Sequence, residues 1–304
     1  MVLATGFAGG AGAAPLGPAT SRASALTAQL PVAPNFASGI IHELLSPGSS
    51  PSGANNFACR PTSAHPRPVV LVAGTFGAMG DSWQALSPML ANAGYCVFAL
   101  NYGGNSYGSI HGYGDIPTSA AQLQVFVQSV LSATKASEVD IVGHSQGGMM
   151  PRYYIDFLGG ASKVHTLVGL APSNHGTTLF GLATLAQASP GSNAFLDGYC
   201  PACSEQYAGS PFMTHLNAGG DTVPGPNYTV IETRYDEVVT PYTSAFLAGP
   251  HVSNITLQDQ CGLDFSDHLA IIYDPVALGD VMNALDPTHA VPPPCRLVLP
   301  GVGG

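Results

Sequence analysis

The pentapeptide Gly143-His144-Ser145-Gln146-Gly147 fits the pattern Gly-x-Ser-x-Gly, and it stands between an apolar run, Val139 to Val142, and a helical pattern, Met149 to Leu158. A serine at such a strand-to-helix turn takes a strained backbone that leaves its hydroxyl exposed at the C-terminal edge of a sheet. Glycines two residues to either side let neighbouring chains come close. With 37 glycines in the chain, the pentapeptide alone is weak, and the strand before it gives it weight. The chemistry is nucleophilic attack. A serine hydroxyl reacts poorly at neutral pH until a base takes its proton, and that base needs an anion to fix its tautomer and stabilise its charged form.

In this arrangement the acid and then the histidine follow the serine along the chain. Of the ten histidines, His42, His65, His111 and His144 precede Ser145. Among the rest, His165 lies inside an apolar strand, His175 follows that strand's end, His215 lies in an irregular stretch, His251 opens a strand and His289 sits in a Pro-rich tail. His268, in Asp264-Phe265-Ser266-Asp267-His268-Leu269, follows the final strand pattern, where a loop brings an imidazole over the serine. Asp236 comes directly after the run Tyr228 to Tyr235, which sets its carboxylate at the same sheet edge. Asp221 precedes that run and falls at the wrong edge; Glu237 is expected to point away, and Asp264 and Asp267 to stand behind His268.

The tetrahedral intermediate needs two N–H donors aimed in advance. Gln146 supplies one. Thr75, in the loop Gly74-Thr75-Phe76-Gly77 after the first core strand, supplies the other, with its hydroxyl as a candidate third. That loop lacks the Gly-x-Gly-x-x-Gly spacing of a phosphate cradle.

These residues require a wound sheet to bring them together. From Pro68 onward, short apolar runs (Val69–Ala73, Tyr95–Leu100, Val139–Val142, Val164–Leu170, Tyr228–Thr233, Val252–Leu257) alternate with amphipathic stretches. That pattern predicts an α/β fold with a mostly parallel central sheet and helices on both faces. The last two runs also fit an edge position. Asp81 is expected to cap one helix carrying Trp83, Leu86, Met89 and Leu90 and ending at Gly94, and Pro117-Thr118 to open the next, with Leu123, Phe126, Val127, Val130 and Leu131 on one face. Between Gly176 and Gly220 the pattern dissolves into apolar clusters broken by Pro190, Pro201 and Pro211, a partly helical insertion that packs over the sheet or covers an apolar substrate site.

Composition narrows the function. Apolar residues make up 45% of the 304 residues and charged ones 9%, against roughly 25% charged in an average soluble domain. No apolar run of about 18 residues suggests a membrane span. A formal charge of −10 repels phosphate backbones, so nucleic acid is excluded as a partner. Six cysteines, an even number, point to an oxidising compartment and secretion rather than to a metal site. Residues 1–35, rich in Ala, Gly and Pro with Arg22 as the first basic residue, read as the remnant of a signal and pro-region without packed structure, and 36–304 as one domain.

The stretches Pro68 to Gly77, Gly94-Tyr95-Cys96-Val97, Gly143 to Gly148, Tyr235-Asp236-Glu237-Val238-Val239-Thr240-Pro241 and Asp267-His268 resemble the class 2 family of secreted bacterial triacylglycerol lipases and, more distantly, yeast lipase B. The resemblance covers roughly residues 36 to 300. It implies an α/β-hydrolase fold and ester hydrolysis through an acyl-enzyme, with Ser145, Asp236 and His268 as triad, Thr75 and Gln146 as oxyanion hole, a monomer acting on an ester or lipid, and no cofactor or metal. Ala73 departs from the family, in which histidine is common at that place; the backbone donor is unaffected. The resemblance also pairs Cys59 with Cys96 and Cys261 with Cys295, leaving Cys200 with Cys203. An esterase or polyester hydrolase with the same triad, or a non-catalytic extracellular binding module on this fold, are the rival readings.

Overall fold

The computed structural model describes residues 1–6, 28–104, 109–178, 181 and 200–304. The centre of the expected insertion, 182–199, and residues 7–27 of the N-terminal segment lie outside them.

In chain order, helix α1 (Phe36–Leu45) precedes strand β1 (Val69–Val72), helices α2 (Met79–Ser82) and α3 (Leu86–Asn92), strand β2 (Val97–Leu100), helix α4 (Ile116–Thr134) and strand β3 (Val139–His144). Helix α5 (Gln146–Phe157), strand β4 (Val164–Leu170), helices α6 (Pro201–Glu205) and α7 (Pro211–Asn217), strands β5 (Asn227–Glu232) and β6 (Val252–Thr256), and helices α8 (Leu257–Gln260) and α9 (Pro275–Leu285) follow. The six strands form one sheet in the order β2-β1-β3-β4-β5-β6, and every pairing is parallel.

Alternation along the strands feeds two cores. Val70, Val72, Phe98 and Ile141 pack with Leu123 and Val127 of α4 and Met149 of α5. Val69, Leu71, Val97 and Val142 pack on the opposite face with Leu86 and Leu90 of α3 and Val276 and Val281 of α9. Residues with a period of two therefore demand cover on both sides, and amphipathic helices provide it. Of the two strands expected to tolerate an edge, only β6 lies there, with Ser253 and Asn254 exposed; β5 is interior and buried along Tyr228–Glu232.

The single helix expected from Asp81 to Gly94 is broken. Asp81 lies inside α2, where its carboxylate accepts the Ala78 N–H at 3.1 Å. Continuing that helix would set the Pro88 ring against the Gln84 carbonyl one turn back; this carbonyl instead accepts the Ala33 N–H at 3.0 Å. Leu30 N–H also donates to Asn92 Oδ1 at 2.8 Å, so the segment expected to be unpacked as far as residue 35 joins the domain from Leu30 onward. Helix α4 begins at the Asp115 cap with Pro117 in its first turn and ends at Lys135, which adopts the left-handed conformation (φ 64°) just before β3. Lys163 lies directly before β4, and both lysines are exposed at the N-terminal edge of the sheet.

Cys59–Cys96, Cys200–Cys203 and Cys261–Cys295 are disulfide-bonded, and no cysteine is free. Among the described residues no helix is long and apolar enough to cross a membrane.

Candidate active site

The strand order fixes where a site can form. The chain runs from β1 outward to β2, returns to β3 on the other side of β1, and then proceeds away through β4, β5 and β6. The loops leaving β1 and β3 thus diverge and open a crevice at their C-terminal ends. Thr75 follows β1 and Ser145 follows β3.

Ser145 has φ 54° and ψ −123°, a conformation disfavoured for any residue with a side chain. The turn is tight because the chains around it nearly touch: a Cβ on Gly143 would lie 1.8 Å from the Gly147 carbonyl oxygen, and one on Gly147 would lie 2.2 Å from that of Val72. Both glycines are obligatory. The Gln146 N–H is the first of α5 and has no acceptor within the helix, and among the described residues the Thr75 N–H has no acceptor either. The loop carrying Thr75 lies on the turn, since a Cβ on Gly74 would come 3.1 Å from Ser145 Cβ.

His268 and Asp236 form a buried pair, with Nδ1 2.8 Å from Asp236 Oδ2. The other carboxylate oxygen accepts the N–H groups of Val238 and Val239 at 2.8 and 2.7 Å, which fixes the acid from behind. Burial disfavours the charged imidazole, but the charge and hydrogen bond of Asp236 overcome it, Glu237 and Asp267 adding to them, and hold the His268 pKa above the ordinary histidine value. Its Nε2 is buried and makes no hydrogen bond among the described residues. The His268 ring lies beside that of His144, the residue before Ser145, with centroids 4.8 Å apart.

Several residues play parts that sequence patterns did not suggest. His144 Nε2 donates to the His268 carbonyl at 2.8 Å. Burial, with His268 adding to it, pushes the His144 pKa down to about 3, so this ring stays neutral. Glu237, expected to point away, instead accepts the His268 N–H at 3.3 Å; the backbone of the histidine is held on both sides. Glu232 is fully buried at the end of β5, and burial together with Asp236 raises its pKa well above the carboxylate range. Asp267 accepts the Ala270 N–H at 2.8 Å, and Asp264 with Asp274 flanks the Ser266 hydroxyl at 2.9 and 2.8 Å. Asp221 takes His175 as its partner at 3.0 Å.

The Thr75 hydroxyl, expected as a third donor, donates to Gln146 Oε1 at 2.7 Å. Gln206, at the end of α6, donates from Nε2 to Thr75 Oγ1 at 2.8 Å and to Gln146 Oε1 at 2.9 Å. Arg152 of α5 is fully buried and donates to the carbonyls of Asn174 and Asp221 and to Asn217 Oδ1, tying the helix after Ser145 to α7 and to the loop after β4. A cavity of about 80 Å³ adjoins the Thr75 loop and His144, walled by Phe36 and Ile40 of α1 and by Leu269 and Ile272, with buried Glu43 and Asp81 also lining it. Among the described residues no group of three or more His, Cys, Asp or Glu could hold a metal ion.

A family model described as Lipase (class 2) matches residues 66–278. The chain belongs to the class 2 lipase family. Within these lipases, curated triacylglycerol lipases from Pseudarthrobacter phenanthrenivorans and Burkholderia plantarii are each 38% identical to this chain over 92 residues. Those matches span 28% of this chain and 27% and 24% of the relatives, about a quarter of their length. Among solved structures, Aspergillus fumigatus lipase B superposes with a TM-score of 0.60 at 23% identity, over 82% of this chain and 61% of that one. The mature form of Bacillus licheniformis lipase BlEst2 does so with a TM-score of 0.54 at 17% identity, over 78% and 96%. At such identities the likeness is one of fold, and the fold of this class 2 lipase is the α/β-hydrolase fold.

Proposed function

We propose that this class 2 lipase is a secreted ester hydrolase acting on triacylglycerols, with Ser145, His268 and Asp236 as its catalytic triad and the N–H groups of Thr75 and Gln146 as its oxyanion hole. The observation that carries the reading is the buried His268–Asp236 pair, 2.8 Å apart, with its ring against the residue that precedes a strained Ser145. Ser145 Oγ attacks the ester carbonyl carbon and its proton passes to His268 Nε2, while charge on the carbonyl oxygen is met by the two N–H groups. Asp236 fixes the proton on Nδ1 and stabilises the imidazolium. His268 then protonates the departing alkoxide and the alcohol leaves an acyl-Ser145. Water attacks that acyl group, its proton going to Nε2 and on to the Ser145 oxygen as the carboxylic acid departs.

The His268 pKa, held up by Asp236, suits a base that must carry a proton between these steps. Three disulfides fit an oxidising compartment, and a monomer needs no further group to complete the site. Replacing Ser145→Ala is expected to abolish turnover of a short nitrophenyl ester and labelling by a fluorophosphonate while leaving the melting temperature unchanged. Normal turnover in that variant overturns the assignment. The triacylglycerol part is tested by rate against chain length with and without an emulsified interface: no gain at the interface and activity confined to short acyl chains would leave an esterase.

A further inference from the structure

The geometry points to Gln206 as a positioning residue for the oxyanion hole, one that frees the Thr75 hydroxyl to serve the reaction; the inference rests on the ester-hydrolase reading. Gln206 is 2% exposed and lies far along the chain from Thr75 and Gln146, which it touches. Its Nε2 lies 3.2 Å from the Ala202 carbonyl, a longer contact to an atom that can only accept, which fixes which end of the amide is which, and its Oε1 accepts the Ser173 hydroxyl at 2.9 Å. The NH₂ end must then face Thr75 Oγ1 and Gln146 Oε1, at 2.8 and 2.9 Å.

The backbone of Gln206 is pinned as well. Its carbonyl accepts the Thr177 N–H at 2.9 Å and its N–H donates to the Ala202 carbonyl at 3.0 Å. Cys203, one turn earlier on α6, packs with Phe76, the residue after Thr75. Helix α6, its first turn closed by Cys200–Cys203, therefore meets the oxyanion loop twice, once through an apolar contact and once through the Gln206 amide.

The consequence lies in the count of hydrogens. Gln146 Oε1 accepts two, one from the Thr75 hydroxyl and one from Gln206. A buried acceptor stripped of its only donor loses free energy; this one keeps a donor when the Thr75 hydrogen turns away. Thr75 Oγ1 is meanwhile held in place by the other Gln206 hydrogen, so only rotation about the Cβ–Oγ1 bond is needed. As the carbonyl oxygen of the substrate gains charge, the hydroxyl moves its hydrogen from Gln146 Oε1 to that oxygen. Without Gln206, the same turn orphans Gln146 Oε1 at the moment of reaction.

The test is a cycle of Gln206→Leu and Thr75→Val, with Gln206→Met as a variant that keeps the side-chain length and removes its donors without adding charge. Steady-state turnover of a nitrophenyl butyrate is the readout, with melting temperatures to confirm folding. Gln206→Leu and Gln206→Met are each expected to lower kcat by about 10-fold with KM within about 2-fold of wild type. In the Thr75→Val background, which has no hydroxyl to release, the same replacements are expected to change kcat by less than about 2-fold. Should Gln206→Leu not fold, Gln206→Met carries the cycle. Equal losses with and without the Thr75 hydroxyl, or a change confined to KM, assign Gln206 to packing and overturn the inference, as does an unchanged kcat in a chain that is otherwise active. A wild-type chain that hydrolyses no ester overturns both this inference and the functional reading beneath it.

Discussion

The side-chain network that joins Thr75 to Gln146 is neutral, made of Thr75, Gln146, Ser173 and Gln206, whereas carboxyls gather around His268: buried Glu232 and Asp236, half-buried Glu237 and Asp267, and Asp264 and Asp274 one layer further back. The chain has only 18 acidic residues, and six of them gather behind one histidine. This division matches the charges that form in the proposed reaction. A negative charge on the carbonyl oxygen is met by neutral dipoles, and a positive charge on the imidazole is met by anions. The carboxyl side has a cost that the amide side escapes, because like charges under cover must share or keep protons.

Removing the one carboxylate in contact with the imidazole should break this contrast most severely. Asp236→Asn keeps the shape but offers an N–H where His268 Nδ1 needs an acceptor, so kcat is expected to fall by roughly 10³ to 10⁴ with a folded protein, as read by ester turnover and melting temperature. A loss below about tenfold would leave the anion without a role.

An intermediate effect is expected from the back layer. The Asp274 carboxyl is pushed up to about 7, by burial first and then by Asp264. An unfolded chain ionises this group near pH 4, while the folded chain keeps its proton, so stability falls as pH rises from about 4 to 7 and the penalty is complete above that. Asp274→Asn retains the acceptor for the Val276 N–H that caps α9 and removes the titration. Its melting temperature is expected to match wild type near pH 4 and to exceed it by a few degrees at pH 8, where ~1 kcal/mol corresponds to about 2–4 °C. A constant difference across the pH range removes Asp274 from the balance.

The smallest effect is expected at Glu232. With burial and Asp236 both holding its proton on, Glu232→Gln substitutes one neutral group for another, and kcat at pH 8 is expected to stay within about 3-fold of wild type. A large loss would show that Glu232 carries charge and would redraw the carboxyl side.

Thr75 and Gln146 on the amide side and Asp236 and His268 on the carboxyl side are legible in the sequence, whereas Gln206 on the one and Glu232 and Asp274 on the other are not. Ser145, Asp236 and His268 each follow a recognisable strand or loop pattern, so chain order and strand ends were enough to single them out. Gln206 has no such mark: it ends a five-residue helix within an irregular stretch and meets Thr75 from 131 positions away. The orientation of Glu237 was also misjudged, because alternation along a strand stops at the turn after β5, where the chain folds back and Asp236 binds the N–H groups of Val238 and Val239. The break between α2 and α3 was legible in principle from Pro88, whose ring forbids a continuous helix through Gln84. The remaining strands were found within a few residues of their observed ends, since buried parallel strands leave unbroken apolar runs.

The polarity of the sheet also decides how the molecule meets a support. Lys135 and Lys163 are the chain's only lysines, and both stand before strands, at the end of the sheet opposite Ser145. Coupling through their amines to an activated resin, or decorating them with a bulky polymer, would therefore leave the mouth of the crevice turned toward the bulk liquid.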